Sequence, residues 1–288
     1  MRSEKEMMDL IIGKAQQDDR VLAAYLKGSR ANPHAPKDIY QDFDIMYVVR
    51  ETESFIADSN WCSCFGKVVL KQEQDDDYSY GARFDIQNHY EDTYSWLLLF
   101  EDGNRIDIGV ETLSAFQQGK NRNKLFVPLL DKGNYIPQTP PPTDEQFYIQ
   151  KPSEKNFRCC CNEFFWCLCD VTKGIARNEL PFAMNTYQIL VRSMLELMLS
   201  WQIGCDNNFS VSAGKRYKYL KKYLPADAYE RYLQTFSNGD YAELKRALRA
   251  CCALFHDTGI YVANQLCLEY PQQGEDAARK FLENTVQI

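Results

Sequence analysis

Two segments decide how this chain is interpreted: Leu26-Lys27-Gly28-Ser29-Arg30 and, after a short gap, Asp42-Phe43-Asp44-Ile45. The residues from 43 to 49 are mostly β-branched or aromatic, a composition that predicts a strand. The residues from 21 to 26 are apolar and predict a second buried strand, which would end at the Gly-Ser turn.

The strand from residue 43 carries two carboxylates that should lie on the same side. Side chains alternate between the two faces of a strand, so Asp42 and Asp44 are expected on one face, with Phe43 and Ile45 on the other. The Cα atoms of the two aspartates would be roughly 7 Å apart at the usual strand rise. Two carboxylates so close require a compensating cation, and Mg²⁺ suits carboxylate oxygens together with substrate phosphates.

The Gly-Ser turn before this strand has the composition of an anion-binding turn. Gly28 lets the backbone approach a phosphate closely, and consecutive N–H groups of a turn can surround an anion. The Ser29 hydroxyl adds a donor, and Arg30 adds a guanidinium fork. A Gly-Ser pair by itself is more often an ordinary turn, so the phosphate interpretation depends on the aspartates nearby.

A third carboxylate is predicted from a hairpin further along the chain. The apolar residues 96–100, the turn 101–104 and the return strand 105–110 form a strong hairpin pattern. Ile106 and Ile108 should face one side of the return strand and Asp107 the other. A buried aspartate binds a metal, pairs with a cation or takes a proton. The alternatives for Asp107 are a salt bridge to Arg105 or a place on a partly exposed edge strand.

These motifs resemble the signature of a known superfamily. Gly28-Ser29, Asp42-x-Asp44 and Asp107 are similar to the three-carboxylate site of the nucleotidyltransferases typified by DNA polymerase beta. Nearly the whole chain resembles the aminoglycoside 6-adenylyltransferases, which are streptomycin-modifying resistance enzymes. The segments that carry this resemblance are residues 1–7, 28–30, 100–107, 173–181, 198–204 and 214–218.

The resemblance implies an activity and a set of roles. A streptomycin hydroxyl would attack the α-phosphorus of ATP, and the transferred AMP would inactivate the antibiotic. Asp42, Asp44 and Asp107 would hold Mg²⁺, and Asp107 would be either the general base or only a metal ligand. Lys215 and Lys218, three residues apart on a predicted helix, would contact the triphosphate. Two alternatives remain open: a different small-molecule or protein acceptor, and a nucleotide-binding module without chemistry.

Charge and composition limit the partners. The net charge is −7, and acidic residues cluster at 74–77, 91–92 and 101–102, which argues against a nucleic-acid substrate and is compatible with a polycationic small molecule. No apolar run is long enough to span a membrane, and no secretory signal is recognisable. We therefore expect a cytoplasmic enzyme, as a monomer or weak dimer.

The cysteines favour the same compartment. There are 11 of them, an odd number without metal-binding spacing, so we interpret them as small core residues under reducing conditions.

The order of elements predicts an α+β protein with a nucleotidyltransferase-type mixed sheet followed by a helical bundle. We predict a catalytic domain over residues 1–136, a proline-containing linker over 137–152 and a helical substrate-binding domain over 153–288. Ser3 and Glu6 form a capping box for the first helix. Strands are predicted near 21–27, 43–49, 95–100 and 105–110. Helices are predicted over 156–176, 183–203, 212–223, 240–268 and 274–286, one ended by Gly204 and another begun by Asp240.

Overall fold

The first helix begins where the capping box predicts. In the computed structural model, which describes residues 1–76, 89–119 and 122–286, helix α1 spans Glu4–Gln17. The Ser3 side chain accepts a hydrogen bond from the Glu6 backbone N–H, and the Glu6 carboxylate accepts one from the Ser3 N–H. Two otherwise unpaired backbone donors are thereby satisfied. Met7, Ile11 and Ala15 form the buried face of this helix.

The chain divides into two units, Met1–Gln146 and Phe147–Ile288. The boundary between them falls inside the segment 137–152 that the proline content marks as a linker. The first unit contains the sheet, and the second is helical throughout its regular elements. The predicted α+β class with a helical second half is therefore confirmed.

One mixed sheet organises the first unit. Among the described residues, six strands lie in the order β3-β4-β5-β2-β1-β6. Strand β2 runs parallel to β5, and the other neighbouring strands are antiparallel. The regular elements of this unit after α1 are β1 (Val21–Lys27), α2 (Gly28–Ala31), β2 (Phe43–Val49), α3 (Glu53–Ala57), a 3₁₀ helix (Trp61–Phe65), β3 (Val68–Glu73), β4 (Thr93–Phe100), β5 (Arg105–Thr112), α4 (Leu113–Gln118), β6 (Val127–Asp131) and a 3₁₀ turn (Glu145–Phe147).

Both edge strands are additions to the four predicted ones. Strand β3 has three apolar residues followed by three polar ones, so its sequence lacks the alternation that predicts a strand. Strand β6 contains Pro128, which lacks a backbone donor and is tolerated in a strand at the sheet edge. The four central strands, which are the ones that carry the candidate site, are confirmed.

The two faces of the sheet differ in what covers them. On one face, alternate residues of β2 (Phe43, Ile45, Tyr47 and Val49) belong to a core that includes the buried side of α1. On the other face, Met46 and Val48 belong to a smaller core with Tyr25, Phe116 and Phe126. Asp44 lies two positions before Met46 and four before Val48, so its side chain is on this second face as well.

The second unit is built from helices around one apolar core. Its elements are α5 (Glu154–Ala176), α6 (Leu180–Thr186), a π-helical turn (Tyr187–Val191), α7 (Arg192–Asp206), a 3₁₀ turn (Lys215–Tyr217), α8 (Leu220–Tyr223), α9 (Ala226–Leu233), α10 (Tyr241–Leu266) and α11 (Gln272–Val286). Helix α10 begins after Asp240 as predicted, because the Asp240 carboxylate accepts from the N–H groups of Ala242 and Glu243.

Three helix predictions need correction. The predicted helix 183–203 is interrupted by the π-helical turn, and α7 continues past Gly204 to Asp206. An added Cβ on Gly204 would come within 2.5 Å of the Phe209 ring, so packing explains this glycine. The predicted helix 212–223 is a 3₁₀ turn and the short α8, with Arg216 at a positive φ of 54°.

The cysteines and the helix lengths complete the description. All 11 cysteines are unpaired thiols, six of them buried, while Cys159 and Cys267 are exposed. The core interpretation therefore fits the buried six. Within the described ranges, no helix has the length and apolar character needed to cross a bilayer.

Candidate active site

Three charged residues form a row across the sheet. Asp44 on β2 is the register partner of Asp107 on β5, because these strands are adjacent and parallel. On its other side, Asp44 is the register partner of Lys27, the last residue of β1. We call Lys27, Asp44 and Asp107 the charged row. Asp42 lies two residues before Asp44, just ahead of the first residue of β2.

Burial and crowding disfavour ionisation of Asp44 on β2 and of Asp42 just before it. Burial, followed by the charge of Asp107, raises the pKa of Asp44 to about 6, although Lys27 acts in the opposite direction. Burial also raises the pKa of Asp42, and Arg105 opposes that shift. In the folded protein, burial therefore disfavours the ionised form of both carboxylates.

Arg105 contacts two of these three carboxylates. Its Nε and Nη2 atoms lie 2.9 and 3.1 Å from the two carboxylate oxygens of Asp107, and Nε lies 3.7 Å from Oδ2 of Asp42. The salt bridge considered for Asp107 is thus present. The other alternative, an exposed edge strand, is wrong, because β5 lies between β4 and β2.

The donor set can be tested against a divalent cation. Asp42, Asp44 and Asp107 offer only carboxylate oxygens, the ligands that Mg²⁺ prefers. The raised pKa of Asp44 indicates a position where a cation would be stabilising. The residue types therefore fit Mg²⁺. As their side chains are placed, no group of three or more His, Cys, Asp or Glu residues in the described part of the chain is arranged to hold a metal. The ligand assignment stays a prediction.

The Gly-Ser turn lies directly against Asp44. Gly28 has a φ of +70°, and an added Cβ would lie 2.0 Å from Oδ2 of Asp44. A side chain at this position would collide with the carboxylate as well as strain the backbone. Ser29 follows within α2 and is half-buried. The structure thus brings the predicted turn to the predicted aspartate.

Arg30 is turned toward the protein. Its Nε donates to the Asp42 carbonyl at 3.1 Å and its Nη2 to the Gln41 carbonyl at 2.7 Å. The guanidinium lies 3.8 Å above the Phe43 ring, and only 6% of the side chain is exposed. The fork predicted for phosphate is occupied by backbone carbonyls in this structure.

The predicted triphosphate lysines belong to the second unit. Lys215 and Lys218 are both exposed, and the Lys218 ammonium lies 5.1 Å from the Tyr219 ring centroid. The prediction that one regular helix carries both lysines is wrong, because Arg216 and Tyr217 between them have positive φ values of 54° and 58°. Their role toward ATP stays a prediction.

The acidic cluster at residues 101–102 is paired within the fold. Glu101 pairs with Lys67 at 2.6 Å, and Asp102 pairs with Arg2 at 2.7 Å, so this cluster is used within the fold. Asp77, in another cluster, lies outside the described residues.

Sequence reasoning missed two contributors to the site. Lys27 stands at the end of a strand beside a glycine, and its register with Asp44 follows only once β1 and β2 are paired. Arg105 was considered only as a partner of Asp107, whereas it lies close to Asp42 as well. Strand alternation from Asp107 would have placed Arg105 on the same face.

A mixed sheet with aspartates in register on neighbouring strands, beside a Gly-Ser turn, is the arrangement expected of a nucleotidyltransferase. The family model of streptomycin adenylyltransferase matches residues 1–285, and the chain belongs to this family.

Individual relatives agree with the family assignment. The chain is 37% identical over 275 residues to an aminoglycoside 6-adenylyltransferase of Campylobacter jejuni, covering 96% of this chain and 93% of the relative. It is 36% identical over 279 residues to an enzyme of the same name from Bacillus subtilis (strain 168), covering 96% and 95%. The crystal structure of an aminoglycoside 6-adenyltransferase from Bacillus subtilis is similar at 31% identity, 99% coverage of both chains and a TM-score of 0.49. The family model and the two relatives confirm the resemblance stated from sequence.

Proposed function

We propose that this protein transfers AMP from ATP to a hydroxyl group of streptomycin and thereby inactivates the antibiotic. The observation that carries the proposal is the register pairing of Asp44 with Asp107 beside the Gly28 turn. The family description supports streptomycin as the acceptor, and the names of the relatives support an aminoglycoside and position 6.

The aspartates divide the chemical work in this proposal. Asp42, Asp44 and Asp107 are the groups that would hold Mg²⁺, which when bound offsets the charge of the phosphate oxygens. Asp107 would also accept the proton of the attacking hydroxyl. Because Arg105 pairs with Asp107 and lies near Asp42, it would have to exchange these contacts as substrates bind.

The nucleotide needs donors as well as carboxylates. We assign Gly28 and Ser29 to the phosphates, since the glycine allows close backbone approach at the position that touches Asp44. Lys215 and Lys218 are further candidates, supported by their exposure and by the absence of acidic residues from 207 to 226. Exposed ammonium groups can contact a triphosphate without prior loss of an internal ion pair.

The acceptor should be cationic. The net charge of −7 favours association with the guanidinium groups of streptomycin over association with a polyanion. The carboxylate site would equally serve a nucleotidyltransferase of this fold with another small-molecule or protein acceptor, so the acceptor must be tested directly.

The deciding experiment measures pyrophosphate release from ATP. Reactions would contain streptomycin, a deoxystreptamine aminoglycoside or no acceptor, each with Mg²⁺ or with EDTA, and products would be weighed by mass spectrometry. We expect release only with streptomycin and Mg²⁺, with one adenylyl group added to the drug. Release with the deoxystreptamine compound alone would overturn the acceptor. Undiminished release in EDTA would overturn the Mg²⁺ assignment.

A further inference from the structure

Arg30 contacts three consecutive residues at the start of β2. Its guanidinium donates to the carbonyls of Gln41 and Asp42 and covers the Phe43 ring. The remaining nitrogen, Nη1, lies 3.4 Å from the Glu4 carboxylate of α1. Nε and Nη2, the parallel donor pair on one edge of the guanidinium, are thus taken up by backbone carbonyls. With only 6% of the side chain exposed, the group has little surface that a phosphate could reach.

The contacted residues are those that set the direction of the site carboxylates. Asp42 precedes the first residue of β2, so its position does not follow from the strand itself. Phe43 separates the two carboxylates and is 1% exposed. A buried charge with good hydrogen bonds fixes geometry because each contact restricts both distance and angle. We call these Arg30 contacts the clamp. The clamp acts on the backbone from which Asp42 and Asp44 project.

We infer that Arg30 is a positioning residue, which fixes Asp42 and Asp44 through the Gln41, Asp42 and Phe43 contacts and does not bind phosphate. This inference rests on the proposed function for its kinetic consequence but not for its structural one. Misplacing reactive groups by about 1 Å can lower a rate roughly a hundredfold. Loss of the clamp should therefore lower kcat while nucleotide binding persists.

The chain contains a matched control. Arg20 also lies 3.8 Å above a phenylalanine ring, that of Phe55, and its guanidinium donates to Asp18 and Ser54. It belongs to the same unit, and none of its hydrogen bonds involves residues 41–44. Arg20→Met removes another ring-stacked arginine, more exposed than Arg30 (31% against 6%), without touching the start of β2.

The test compares Arg30→Met, Arg30→Lys and Arg20→Met. For Arg30→Met we expect kcat to fall about a hundredfold, with the Kd of a non-transferable ATP analogue within about threefold of wild type. Arg30→Lys keeps the charge but cannot donate in the same fork, so we expect a loss of about tenfold. Arg20→Met should keep kcat within about twofold, even if its unfolding midpoint is lower.

A phosphate-binding role for Arg30 gives the opposite pattern. It would raise the Kd of the ATP analogue about tenfold or more in Arg30→Met, and Arg30→Lys would bind nearly as well as wild type. Either that result or wild-type kcat in both Arg30 variants would overturn the inference. If Arg30→Met does not fold, the kcat of Arg30→Lys still decides: a loss of about tenfold with unchanged Kd supports the positioning role, and a wild-type kcat overturns it.

A second measurement is independent of turnover. Amide hydrogen exchange of the peptide covering residues 41–46 should be faster in both Arg30 variants than in wild type and unchanged in Arg20→Met. If wild type releases no pyrophosphate with any acceptor, the proposed function fails while the exchange result still judges the clamp. Unchanged exchange in the Arg30 variants would overturn the inference even in an active enzyme.

Discussion

The two faces of strand β2 show how one segment can serve stability and chemistry separately. Ile45 faces a continuous apolar core and is 0% exposed, whereas its neighbour Asp44 lies on the opposite face as part of the charged row. Because strand side chains alternate, adjacent residues meet unrelated environments. We therefore expect a substitution at Asp44 to change turnover and a substitution at the adjacent Ile45 to change stability.

A second contrast separates the carboxylates themselves. Burial raises the pKa of Asp44 to about 6, so the folded state disfavours its ionised form. Asp102, in the β4–β5 turn, has its pKa lowered chiefly by hydrogen bonds from Arg2. The first carboxylate costs folding free energy when ionised and the second contributes it, which is the usual difference between functional and structural acids.

The largest effect is expected for Asp44→Asn. AMP transfer should fall by roughly a thousandfold or more, the scale on which loss of a central catalytic group acts. The urea midpoint at pH 7 should not fall, because the amide removes a charge that burial disfavours. Initial rates and urea unfolding measure both quantities. Activity within tenfold of wild type would contradict the assignment of Asp44 to the catalytic site.

The next largest effect is expected for the close contact between Gly28 and Asp44. Gly28→Ala should lower kcat about a hundredfold, because the new Cβ would lie 2.0 Å from Oδ2 of Asp44. The positive φ adds a loss of about 1–2 kcal/mol in unfolding free energy. Gly13→Ala in α1 is the control, since nothing lies within 4 Å of its added Cβ. Equal kinetics in the two variants would disprove the role of the close contact.

Ile45→Ala tests the apolar face. The unfolding free energy should fall by about 2–5 kcal/mol, the usual range for truncating a buried isoleucine. Below the unfolding temperature, kcat should stay within about threefold of wild type, because Ile45 points away from the charged row. Chemical denaturation and steady-state rates provide the test. A large loss of kcat in the folded variant would mean that the two faces are coupled.

The smallest effect concerns the structural carboxylate. Since the pKa of Asp102 is lower in the folded state, its contribution is present above about pH 4 and is lost as the pH falls below that value. Asp102→Asn should therefore be less stable than wild type by about 1 kcal/mol at pH 7. That difference should shrink between about pH 4 and pH 2 in urea titrations. A constant difference across this range would assign the effect to packing.

The sequence predicted the central sheet well because both of its signals are local. Alternation placed Phe43 and Ile45 opposite Asp44, and the turn at 101–104 predicted the return strand that carries Asp107. It missed the two edge strands. Strand β3 lacks alternation of apolar and polar residues, and strand β6 contains a proline, so neither has a clear strand pattern in the sequence. It also wrongly predicted a regular helix through Lys215 and Lys218, because Arg216 between them has a positive φ that interrupts the helix.

By itself, the sequence determined the family, the α+β class and the faces of the central strands, and it singled out the aspartates that are candidates for the site. These follow from side-chain periodicity, turn composition and motifs that need only neighbouring residues. Only the tertiary structure decided that Asp44 and Asp107 are register partners, that Gly28 touches Asp44, and that Arg30 faces backbone carbonyls. The reason is that strand pairing and the direction of a long side chain are set by residues distant in the chain, whose positions no local pattern contains.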